Sequence, residues 1–266
     1  MDNTFLFHQE IGKPIFSDLI WGRPQTRHNA GKLALVGGSS QGFNSVSEAY
    51  ASAIKSGVGI IHMLLPDSLK KVVSQLLPES DFASSTKTGS FSSKALPNFL
   101  DLDRWSDGVL ISGDLGHNSE TAILIERYLE KSQSLLTLSG DCINIASETP
   151  APLLTNKKLT LAMDMGQLQR FLSIIRYPMA AKHQMTFFQL AELLHALSQS
   201  YPWALITSHE SQFFVAHNGK VSVTPANNQG LISACASATV WRLQQPSKPF
   251  EALTAGIYIS IDPSVL

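Results

Sequence analysis

The chain has 266 residues, of which 44% are hydrophobic and 15% charged, and a formal net charge of -1. That balance excludes a disordered chain and gives no general electrostatic attraction to nucleic acid or an anionic membrane. Cys142 and Cys235 are the two cysteines, each among small or apolar neighbours, so neither a disulfide framework nor a zinc site is expected, and no two of the eight histidines stand at a convincing metal or catalytic spacing. No apolar run approaches the roughly 20 residues of a membrane span. Residues 1–12 carry neither a basic stretch nor an extended apolar one, so the cytoplasm is the expected compartment. Residues 1–266 are expected to form one domain.

In chain order, short apolar runs alternate with longer amphipathic stretches, the pattern of β-α units stacking a mostly parallel sheet. Leu33 to Val36 reads as a buried strand ending in Gly37-Gly38-Ser39, and Ser45 to Ser56 as a helix stopped by Gly57-Val58-Gly59 before a strand over Ile60 to Leu65. The serine- and threonine-rich segment from Ser84 to Leu96 reads as a flexible loop. Strands are expected at Gly108 to Ser112, Leu135 to Leu138 and Leu159 to Met163. Helices are expected at Ser119 to Lys131, Gln167 to Ile175 and Thr186 to Ser200. Ala204 to Thr207 is a further strand, and Gln212 to Ala216 and Lys220 to Thr224 flank the hairpin signal His217-Asn218-Gly219. Gly230 to Leu243 and Phe250 to Ile261 close the chain as helices.

The string from Gly31 through Leu33-Ala34-Leu35-Val36 to Gly37-Gly38-Ser39, followed by the small-residue helix and Ser56-Gly57-Val58-Gly59, is specific. Pro78-Glu79, Ser112-Gly113-Asp114-Leu115-Gly116 and Ser139-Gly140-Asp141-Cys142-Ile143-Asn144 follow in order, and then the hairpin with Val221 to Asn228. Together they resemble the ADP/ATP-dependent NAD(P)H-hydrate dehydratases over nearly the whole chain. The resemblance implies a ribokinase-like three-layer α/β/α sandwich with a mostly parallel central sheet. It also implies ATP or ADP with magnesium as cofactor, NAD(P)H hydrate as substrate, and a cofactor-binding set of Gly37, Gly38, Ser39, Gly113, Asp114, Gly116, Asp141 and Asn144.

In that family a phosphoryl group passes to the ring hydroxyl and phosphate is then expelled, which needs N–H groups at a helix N-terminus and a carboxylate base. Both come from Gly-Ser/Thr-Gly-Asp; the matching stretch here, Ser233 to Thr239, has no glycine and no carboxylate. The family's Leu-Lys-Gly strand end is Ile206-Thr207-Ser208, its His-Pro-Gly-Glu turn is Asp164-Met165-Gly166-Gln167, and its first Asp of Asp-Ala-Asp is Ser139. The catalytic residues are therefore left unassigned and no resident metal ligand is named. Asp141 is either a ligand contact or a helix cap. Three functional readings stay open. The first is an impaired homologue that retains a nucleotide or dinucleotide ligand or acts as a partner subunit. The second is an active dehydratase or small-molecule kinase with a relocated carboxylate at Asp114 or Asp141. The third is a structural subunit that assembles with an active paralogue; a homo-oligomer or such a paralogue is the partner the sequence leaves open.

Overall fold

The structure is a computed structural model describing residues 4–74 and 80–265. Pro78-Glu79 lies outside the described residues. The strands are β1 (Leu6–His8), β2 (Lys32–Gly37), β3 (Ile60–Pro66), β4 (Ser80–Ala83), β5 (Gly108–Gly113), β6 (Leu135–Leu138), β7 (Leu159–Met163), β8 (Ala204–His209), β9 (Gln212–His217) and β10 (Lys220–Pro225). They form one sheet in the order β1-β10-β9-β8-β7-β6-β5-β2-β3-β4. From β4 to β8 every pairing is parallel, whereas β9 runs antiparallel to both β8 and β10. This is the ribokinase-like α/β architecture that the sequence pattern implies, with the expected antiparallel margin.

The helices are α1 (Ser17–Trp21), α2 (Asn44–Lys55), α3 (Lys70–Val73), α4 (Leu96–Trp105), α5 (Ser119–Lys131), α6 (Cys142–Glu148), α7 (Ala151–Leu154), α8 (Met165–Ile174), α9 (Phe187–Ser200), α10 (Leu231–Gln244) and α11 (Pro249–Ile261). Alternation along β2 explains the layers. Ala34 and Val36 face a core shared with Phe99, Leu124, Tyr128, Leu168 and Leu190, while Leu33 and Leu35 face a second core with Ala49, Trp241 and Leu253. The sheet is covered on both faces, so β2 and β5 read as continuous apolar runs. Among the described residues no helix is long and apolar enough to cross a membrane.

Two readings need correction. The Ser84 to Leu96 segment is packed, because Ser85 bridges to Phe91 and the Phe91 ring is buried edge-on against Phe99 at 5.1 Å. Its hydroxyl content signals local hydrogen bonding as much as solvation. The short β1 went unforeseen, since three residues carry too little periodicity to be read, yet Leu6, Phe7 and His8 pair in parallel with Val221, Ser222 and Val223.

Candidate ligand cleft

Three adjacent parallel strands, β2, β5 and β6, end side by side, and the turns that follow them carry the residues the sequence singles out. The backbone is folded tightly there. Gly38, Gly113, Gly116 and Gly140 all have positive φ, and Asp114 joins them at φ 58. The Gly38 N–H donates to the Gly113 carbonyl at 3.0 Å. A Cβ on Gly37 would stand 2.6 Å from that same carbonyl oxygen, which fixes glycine at the strand crossing. A Cβ on Gly113 would stand 3.2 Å from Asp141 Oδ1, and Asp141 Oδ2 accepts the Gly116 N–H at 3.1 Å. Ser39 Oγ lies 3.7 Å from the position a Gly116 Cβ would take. Ser39, Gly113, Gly116 and Asp141 thus meet at one end of the sheet, where open α/β sheets take ligands. Asn144 sits in α6, half-buried, its N–H on the Asp141 carbonyl at 3.0 Å.

The two carboxylates differ in role. Asp114 Oδ2 accepts the Ser45 N–H at 2.7 Å, so it satisfies an otherwise free donor in the first turn of α2. Asp141 stands at the N-cap of α6, yet its side chain makes no capping bond, and Oδ1 is buried without a partner among the described residues. Capping therefore does not account for the Asp141 side chain. Burial pushes its pKa up, against the N–H groups of Leu115 and Gly116 that pull it down, and the nearby Asp114 charge pushes it up further. A carboxyl whose pKa is raised on folding contributes stability below its unfolded pKa and loses it as pH rises through the folded value. Asp141→Asn is accordingly expected to melt higher than the parent at pH 7, the difference shrinking as pH falls below the ordinary carboxyl pKa of about 3.9, where the aspartate is neutral in both the folded and the unfolded chain. Melting curves over that range check it, and a variant that is less stable at pH 7 contradicts it.

On the other side of the sheet end, α10 begins at Leu231 with Gly230 as its cap. The stretch Ser233 to Thr239 therefore begins within the helix's first turn rather than ahead of it. It is buried helix interior packed against α2 and α11, and alanine content there reflects close helix contact. The turn before the helix contains Gly230 and holds Asn227 and Asn228 at φ 44 and 64, a conformation glycine otherwise supplies. The sequence still places no Asp or Glu between Glu210 and Glu251. A carboxylate nevertheless arrives from elsewhere: Glu48 Oε1, on α2, accepts the Ser233 N–H at 3.2 Å and the Ser233 hydroxyl at 2.6 Å. Sequence reasoning missed Glu48, because nothing in its own helix signals a contact 185 positions away. Thr207 Oγ1, at the strand end that lacks the family's lysine, is fully buried without a partner among the described residues. Gln167 caps α8 reciprocally with Asp164 and donates to the Gly140 carbonyl at 2.7 Å, fastening the Asp141 turn from behind.

A mostly parallel sheet between two helical layers, with glycine turns gathered at the carboxyl ends of β2, β5 and β6, defines a ribokinase-like α/β protein. A ribokinase-like superfamily protein from Enterococcus faecalis V583 superposes with a TM-score of 0.70 at 15% identity, covering 96% of this chain and 86% of that one. An ADP/ATP-dependent NAD(P)H-hydrate dehydratase from Bacillus subtilis, co-crystallized with ATP and magnesium, gives a TM-score of 0.63 at 13% identity, covering 91% and 84%. In sequence, the chain is similar to the bifunctional NAD(P)H-hydrate repair enzymes. It is 29% identical to that of Thermosynechococcus vestitus over 135 residues, and 23% identical to that of Moorella thermoacetica over 207 residues. The matches cover 50% and 77% of this chain but only 26% and 38% of those relatives. No family model matches the chain.

Proposed function

We propose that residues 1–266 act as one cytoplasmic ribokinase-like domain that retains a nucleotide or dinucleotide ligand at the ends of β2, β5 and β6 but does not transfer phosphoryl groups. The observation that carries this reading is the start of α10. Phosphoryl transfer needs free N–H groups and a base at the incoming phosphate. Here the first turn of α10 holds no acidic residue, and one of its N–H groups is already bonded to Glu48. The glycines Gly37, Gly38, Gly113 and Gly116, with Ser39, Asp114, Asp141 and Asn144, would form the retained ligand side. A homo-oligomer or an active paralogue as partner belongs to this reading.

The test is direct turnover. Purified protein given NAD(P)H hydrate with ATP or ADP and magnesium is expected to regenerate no NAD(P)H absorbance above a protein-free control. The competing reading is an active dehydratase or small-molecule kinase with a relocated carboxylate at Asp114 or Asp141, to which the structure adds Glu48 at the start of α10 as a third candidate. Turnover that disappears in Glu48→Gln would establish that alternative and overturn the proposal.

A further inference from the structure

Away from that cleft, a second concavity lies at the β4 edge of the sheet, where α4 packs over β3 and β4. Asn98, Asp101, Leu102 and Trp105 recur at i, i+3, i+4 and i+7, so a single face of α4 forms one wall. His62, Leu64 and Asp81 form the other, and the space between measures about 340 Å³. Trp105 closes α4 and meets Lys32, the first residue of β2. This end of the groove therefore lies at the amino ends of the strands, opposite the glycine turns.

The floor is apolar, since Leu64 and Leu102 are buried, while Asp81, Asp101 and the Asn98 carboxamide bring mostly acceptors to the walls. Among the described residues that line it, none is a lysine or an arginine. His62 Nε2 donates to Asp81 Oδ2 at 2.6 Å, which steadies the carboxylate, and the His62 and Trp105 rings stand 5.5 Å apart at 60°. Two cations of the chain are drawn to the rim: Arg104 pairs with Asp101, and Lys32 Nζ stands 5.8 Å from the centre of the Trp105 ring. The indole thus attracts a cation independently of the carboxylates. Asp81, whose ion-pair partner is a histidine, is the carboxylate that neither of those cations serves. A fixed carboxylate beside an aromatic wall fits a planar cation better than a compact one. Guanidinium can give two parallel N–H bonds to the carboxylate and lay its plane against a ring, which an ammonium cannot do.

We propose that this groove binds a guanidinium group, held by Asp81 and stacked on Trp105, with the Asn98 carboxamide accepting a further N–H. The inference stands apart from the function proposed above, because no residue of the β2, β5 and β6 turns takes part in it.

The experiment titrates isotopically labelled protein with methylguanidinium chloride, following the Trp105 indole N–H and the Asn98 and Asp81 amides by NMR. Separate arms use sodium chloride and methylammonium chloride at equal ionic strength, and a blocked Gly-Arg-Gly peptide. Methylguanidinium is expected to shift all three signals, and the two salts are not. Because Asp81 and Trp105 are exposed, Asp81→Asn and Trp105→Leu are each expected to weaken binding only about fivefold. Trp105→Leu leaves the His62–Asp81 bond in place and so tests the ring alone. An Asp81 that merely ties β4 to β3 through His62 would instead lower the melting temperature on substitution and leave the methylguanidinium response intact, which overturns the inference. Equal shifts from methylguanidinium and from either salt overturn it too. Peptide binding tighter than that of methylguanidinium supports it with an arginine side chain as the source of the group, and weaker or equal binding supports it with a free guanidinium compound.

Discussion

In titration calorimetry, ATP and ADP are expected to bind this chain at millimolar concentrations or not at all, with magnesium making no difference. Three elements would have to hold the phosphates. At the glycine turn, Asp114 places a negative charge next to the incoming anion, and its carboxylate already accepts the Ser45 N–H. At the end of β8, Thr207 stands where the resembling family has lysine, and its hydroxyl is buried rather than presented to the cleft. At α10, the Glu48 carboxylate occupies the Ser233 N–H and hydroxyl. The helix terminus attracts anions, but an anion from its own chain is already there. Each missing charge-assisted contact costs about 1.5–3 kcal/mol, so two losses move a micromolar site toward millimolar. Tight, magnesium-dependent ATP binding would show that the Glu48 contact opens and that this account of α10 is wrong.

Much of this architecture is legible in the sequence because a doubly covered sheet writes its strands as apolar runs and its turns as glycines. Leu33 to Val36 and Gly108 to Ser112 fall on β2 and β5, and Phe250 to Ile261 falls on α11. The positive φ of Gly38, Gly113 and Gly116 explains why those turns stand out. What the sequence withholds is contact between distant side chains. Glu48 lies outside every recognisable motif and acquires its meaning only when α2 is laid against α10. The helix read at Gly230 to Leu243 falls on α10, but alanine and serine pack as well inside a helix as before one, so Ser233 to Thr239 gives no local sign of where the family's motif falls relative to that start. The 84–92 segment carries the same lesson from composition, since hydroxyls that satisfy one another look, in sequence, like hydroxyls that face water.

The largest loss of stability is expected from Trp241→Ala. Trp241 is fully buried in α10, in the core that also contains Leu33, Leu35, Ala49 and Leu253, so it ties the helix to β2, α2 and α11 at once. It lies ten residues beyond Leu231, about 15 Å along the helix from the terminus that Glu48 covers. Packing at Trp241 therefore helps fix where that terminus stands. A buried tryptophan cut to alanine leaves a cavity that the surrounding helices fill only in part, at a cost of about 3–5 kcal/mol. The α10–α11 contact has little freedom to close such a gap. A Cβ on Gly256 would already lie 2.5 Å from Ala238 Cα, so the two backbones touch and cannot move closer there. Trp241→Phe separates packing from polarity. The indole Nε1 is buried without a partner among the described residues, and phenylalanine removes that unpaired donor while keeping a ring in the site. Its cost is expected to fall well below that of alanine. Denaturant unfolding of both variants measures the pair: equal losses would mean that Nε1 has a partner in solution, and an alanine loss below about 1 kcal/mol would mean that α10 and α11 repack freely.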